Sequence, residues 1–106
     1  MKKIEMSEKN IIMVIKAVRA LKIKCVVEKD FEKSSACVML EETLVSGDET
    51  ILTEEEAKLM SEALKMEIER TKMFIDAHEY EDENAEVIEK KAKEKIEEAE
   101  RIMRAC

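Results

Sequence analysis

The sequence predicts an all-α fold: a small helical bundle of three or four helices with a long charged C-terminal helical region. Three observations carry that expectation. The 106 residues include no proline and one glycine, so the backbone meets few instructions to turn. Apolar residues recur at steps of three and four through most of the chain, which is the period of a helix face. Charged residues make up 42% and hydrophobic ones 45%, a mixture that fits ordered amphipathic helices better than disorder. The length allows a single domain, residues 1–106, with one core. Aromatics are limited to Phe31, Phe74 and Tyr80, so that core is expected to be aliphatic and rich in methionine.

Residues 1–6 form a short leading segment in which Ile4 and Met6 either pair as an edge strand or pack. The chain is organised around the apolar run from Ile11 to Leu21. Ile11, Val14, Ile15, Val18 and Leu21 fall on one helical face, and Met13, Ala17 and Ala20 widen it. Lys9, Lys16 and Arg19 occupy the opposite arc. A helix apolar over more than half its circumference expects cover on both flanks. Ser7 is placed to cap its start. The β-branched content is high, so burial rather than intrinsic propensity must hold this helix.

Between residues 23 and 52 two readings compete. In the first, Phe31 to Val45 is a second helix with Asp30 as its cap and Gly47 just past its end. In the second, Ile23 to Val27 is extended and residues 36–52 form a short hairpin turning at Ser46–Gly47–Asp48, giving an α+β fold. Thr53 and Glu56 then spell a capping box at the start of a third helix, with Glu54 to Glu56 at the positive end of its dipole. That helix carries two stripes. Met60, Leu64, Ile68, Thr71 and Ile75 make the main one, with Phe74 near it; Leu59, Ala63, Met66, Met73 and Tyr80 make another on an adjoining face. Two stripes need two sets of partners, and a second protomer is expected to cover the latter.

From Asp82 onward the pattern is a thin stripe, Ala85, Ile88, Ala92, Ala99 and Ile102, on a helix crowded with charge. Glu86–Lys90, Glu89–Lys93, Glu97–Arg101 and Glu100–Arg104 are i,i+4 pairs in the favourable orientation, each contributing about 0.3 kcal/mol. Either residues 54–104 form one rod of ~75 Å, or the chain breaks near Asp82 or Asn84 and folds back.

The charge is asymmetric. Net charge is −7, yet residues 1–24 hold seven Lys or Arg against two Glu. Acid concentrates at residues 41–56 and 76–86. The odd number of cysteines, Cys25, Cys37 and Cys106, is expected to be reduced thiols, and localisation is expected to be cytoplasmic. Lys16 and Arg19 interrupt the first apolar run, which argues against a signal or spanning segment there.

No motif compels a reaction. There is no Gly-rich phosphate loop and no nucleophile elbow, and His78 is the sole histidine, so paired-histidine metal motifs are excluded. A dyad of His78 with Cys25 or Cys37 is outweighed by a surface histidine and buried thiols. The run of residues 76–86 lacks the glycine and the ligand spacing of a calcium loop. The expected chain therefore carries no catalytic residue, no cofactor and no metal. The lysines near the N-terminus lack interleaved aromatics, and the net charge opposes a polyanion, so direct nucleic-acid binding is not expected.

The function expected is a non-enzymatic, acidic, helical protein–protein interaction module. It would self-associate as a homo-oligomer through Leu59, Ala63, Met66, Met73 and Tyr80. The alternative is a small regulator or inhibitor, of the anti-defence or nucleic-acid-mimic type. It would bind a basic, nucleic-acid-handling protein through Glu41, Glu42, Asp48, Glu49, Asp76, Glu79, Glu81, Asp82 and Glu83. A further alternative is small-molecule sequestration at a Met-lined protomer interface. No membrane partner is expected.

Overall fold

The structure, a computed structural model, describes residues 2–46, 50–77 and 85–106. Four helices and one pair of short strands appear in the order β1 (Lys2–Ile4), α1 (Glu8–Val27), α2 (Phe31–Ser46), β2 (Thr50–Leu52), α3 (Glu54–Ala77) and α4 (Ala85–Ala105). The all-helical expectation holds, and the hairpin reading of residues 23–52 does not. Ile23 to Val27 continues α1, and Cys37 to Val45 lies inside α2.

Local signals explain the helix boundaries. The Ser7 side chain accepts from the Asn10 amide at 3.2 Å and starts α1. At its other end the amides of Glu28, Lys29 and Asp30 donate back to the carbonyls of Lys24, Val26 and Cys25. This closure holds Lys29 at φ 62, the left-handed region that a side chain makes costly. The Asp30 carboxylate then accepts from the Lys33 amide at 3.3 Å and starts α2. The reciprocal box at α3 is present: the Glu56 amide donates to Thr53 Oγ1 at 3.1 Å, and the Thr53 amide donates to Glu56 Oε1 at 3.2 Å.

β1 and β2 are antiparallel, with Lys2 opposite Leu52, Lys3 opposite Ile51 and Ile4 opposite Thr50. The period of two turns Ile4 and Leu52 into the core and leaves Lys3 and Ile51 outside. Residues 50–52 are therefore extended, but paired with the N-terminal segment rather than with residues 36–45. The pair ties the start of the chain to the α2–α3 connection.

α1 and α2 fold back on each other, since Glu41 meets both Arg19 and Lys22 across the short turn. α3 and α4 do likewise. Glu67 and Lys95 pair at 2.5 Å and lie equally far from the helix ends that face the connection. A continuous rod is ruled out by the 45 Å longest extent of the molecule. Both hairpins feed one core, which includes Val14, Val18 and Leu21 of α1, Cys37, Leu40 and Leu44 of α2, Met60, Leu64 and Ile68 of α3, and Ala99 and Ile102 of α4. Among the described residues no helix is long and apolar enough to cross a membrane.

Candidate interaction surface

α3 packs against α1 and also against α4. That position corrects the expectation that its second stripe awaits another protomer. Leu59 and Ala63 are buried in the chain's own core, and Met66 is half-buried against it. Only Met73, at 71% exposure, stands outside, and Tyr80 lies beyond the described residues. α1 and α4 are the helices that cover α3 where Leu59 and Ala63 lie, and Met73 is outside that cover.

The acidic candidates are largely out of view. Asp48, Glu49, Glu79, Glu81, Asp82 and Glu83 lie outside the described residues, as does His78, and nothing is described of the Asp76 side chain. Glu42 is exposed. Glu41 is engaged within the chain: its Oε1 accepts from Arg19 Nε at 2.5 Å, and Lys22 lies 4.0 Å away.

The charge pairs of the helices follow both spacing and packing. Glu89–Lys93 forms at 3.0 Å as the spacing suggests, whereas Arg101 turns to Glu98 instead of Glu97. Glu98 also accepts from the Asn10 side chain at 2.8 Å, joining α4 to the start of α1. Its carboxyl is held below the ordinary carboxylate range by the hydrogen bond from Arg101 and then by that from Asn10. Glu67 is the buried acid of the molecule's α3–α4 seam, 5% exposed, and its oxygens are held by Lys95 and Arg70. No buried side-chain nitrogen or oxygen among the described residues lacks a partner.

The thiols are placed for packing. Cys25 and Cys37 face each other across the α1–α2 seam, both buried. Burial pushes Cys37 up to about 11 and raises Cys25 as well, so neither is poised as a thiolate nucleophile. Among the described residues no group of three or more His, Cys, Asp or Glu is placed to hold a metal ion. A shallow depression along α4 is lined by Glu86, Glu89, Lys90, Lys93, Glu94 and Glu97, all charged and all on one helix.

The surface that stands out lies on the outer side of the molecule's first hairpin. The buried residues Val14, Ala17, Val18, Leu21 and Cys25 define the inner arc of α1. Ile12, Arg19, Ile23 and Val26 run along the outer arc, stepping by seven, four and three, with Lys16 and Val27 on its flank. On α2, Cys37, Leu40 and Leu44 face inward, while Phe31, Val38 and Val45 repeat every seven residues on the outside. The Arg19–Glu41 pair fixes which sides of the helices adjoin, and so merges the two outer arcs into one face. Its apolar side chains are well exposed: Ile23 62%, Val27 76%, Phe31 63% and Val45 65%.

Sequence reasoning passes over this face. The signal is present in the breadth of apolar residues around α1 and in the heptad spacing of Phe31, Val38 and Val45. Breadth alone implies cover by the chain's own helices, and the heptad lies in the segment where helix and hairpin compete.

The chain matches no known family, no curated protein and no solved structure.

Proposed function

We propose that this protein is a non-enzymatic helical interaction module that docks through the outer face of the α1–α2 hairpin. The observation that supports the reading is the merged arc of Ile12, Ile23, Val26, Val27, Phe31, Val38 and Val45, all exposed on one side of two adjoining helices. Single exposed apolar residues are ordinary, but a contiguous set on a rigid two-helix face is the mark of a docking surface. Helices present such faces to other helices through residues at seven-residue spacing, which is the spacing here. Lys16, Arg19, Glu41 and Glu42 place a charged layer across this face, which supports a specific rather than an indiscriminate apolar contact.

Site-specific photo-crosslinking in living cells tests the reading. A photoreactive amino acid replacing Ile23 is expected to yield protein adducts, while the same group replacing Lys91, exposed on α4, is not. Equal labelling from the two positions, or none from Ile23, would remove the proposal.

A further inference from the structure

Resting on that reading, we infer that the occupant of the α1–α2 face is a second copy of this chain, docked about a two-fold axis that runs parallel to the helices. The charge on the face selects both the occupant and the arrangement. α1 carries Lys16 and Arg19 on its outer side, and α2 carries Glu41 and Glu42. A face that is basic along one helix and acidic along the other complements itself once it is turned over.

Two orientations bring such faces together. If the axis crosses the helices, α1 lies on the partner's α1, and Lys16 and Arg19 meet their own kind. If the axis runs along them, α1 lies on the partner's α2, antiparallel to it, and opposite charges meet. The second orientation also matches the levels of the two helices. The Arg19–Glu41 pair fixes the register of the hairpin, so Ile23 is level with Val38 and Lys16 is level with Val45. With the axis along the seam those levels are kept, and Ile23 rests on the partner's Val38. Val26 and Val27 approach the partner's Phe31, and Lys16 reaches the partner's Glu42 within one turn. Apolar layers thus meet apolar layers on the Ile23 side of a charged layer at Arg19 and Glu41, and on its other side Lys16 lies beside the partner's Val45 and Glu42.

The size of the face sets the strength. Sixteen-residue segments of two helices, each about 24 Å long and about 10 Å wide, give a footprint of roughly 500 Å² per copy. That is at the small end for specific complexes, so the dimer is expected to form in the micromolar range.

Sedimentation of the purified full-length chain from about 1 to about 200 µM reads the equilibrium directly. The mass is expected to climb from 12.3 kDa towards twice that value. Ile23→Glu, at an exposed position, is expected to leave the helical circular dichroism unchanged and to weaken dimerisation by about tenfold or more. Lys16→Glu alone and Glu42→Lys alone are each expected to weaken it, and the two together to restore it. A single-chain mass throughout the range overturns the inference. So does a dimer that is indifferent to Ile23→Glu, or a charge exchange that fails to restore assembly. A single-chain mass combined with cellular adducts from position 23 overturns the second copy alone and leaves the docking reading standing.

Discussion

The two hairpins of this protein solve the same packing problem with outer surfaces that differ in where apolar side chains show. Along the first hairpin they run over both helices, and in the second Met73, Phe74, Val87 and Ile88 lie near the helix ends that face the connection. α1–α2 and α3–α4 each turn an apolar arc into the shared core. Outside, α4 shows Lys90, Lys91, Lys93, Glu94, Glu97 and Glu100, whereas α1–α2 shows Ile12, Ile23, Val27, Phe31 and Val45. The comparison teaches that an apolar exterior is not a requirement of folding here. Along those residues α4 packs with a charged outer face, so the exposed arc of the first hairpin needs a reason other than stability, and docking supplies one. The ion pairs differ as well. The acids differ in burial, with the Glu67 side chain 6% exposed and that of Glu41 17%, while the cations of both seams reach water.

The largest expected effects test whether the hairpins truly share one core. Leu40→Ala in α2 and Ile102→Ala in α4 remove fully buried side chains, and each is expected to cost about 3 kcal/mol in urea unfolding. A loss confined to Leu40→Ala would mark α4 as an appendage and break the symmetry of the comparison. Next in size is the contrast between the two seams. Glu67→Ala withdraws a buried acceptor from Lys95 and Arg70 and is expected to cost roughly 2 kcal/mol. Glu41→Ala, which removes a less buried acid, is expected to cost less than about 1 kcal/mol. Equal losses in the two variants would show that burial does not separate the pairs.

A smaller change sharpens the account of the first hairpin's turn. Lys29→Gly relieves the left-handed strain at φ 62 and is expected to raise stability by about 1 kcal/mol. No gain would place the strain elsewhere. At neutral pH the thiols produce no effect, but alkali should reveal them. Cys37 stays protonated in the folded state up to about 11, against an ordinary 9.0. The unfolded chain therefore releases the proton first, and stability is expected to fall as pH rises through that window. Cys37→Ala should flatten the fall, as followed by unfolding at fixed pH.

Much of the architecture is legible in the residues. The Thr53 and Glu56 box, Ser7 and Asp30 as caps, and the Met60–Leu64–Ile68 stripe are local features, set by neighbours three or four positions away, and each is present in the fold. The hairpin alternative at residues 36–52 fails because Cys37, Leu40 and Leu44, at steps of three and four, turn one helical face into the core, and Thr50–Leu52 pairs with Lys2–Ile4 instead. Leu59 and Ala63, expected to await a second protomer, are likewise buried by the chain's own helices. A stripe says that a helix has an apolar side; it does not say who covers it.

By itself the sequence determined the helical class, the starts of the first three helices, the charge polarity between the N-terminal segment and the rest, and which arcs are apolar. These rest on hydrogen bonds and periodicities that span a turn or two. The tertiary structure alone decided which of those arcs were left over, because cover depends on residues far apart in the chain coming together. It placed α3 between α1 and α4, buried Leu59 and Ala63, and left Ile23, Phe31 and Val45 in water.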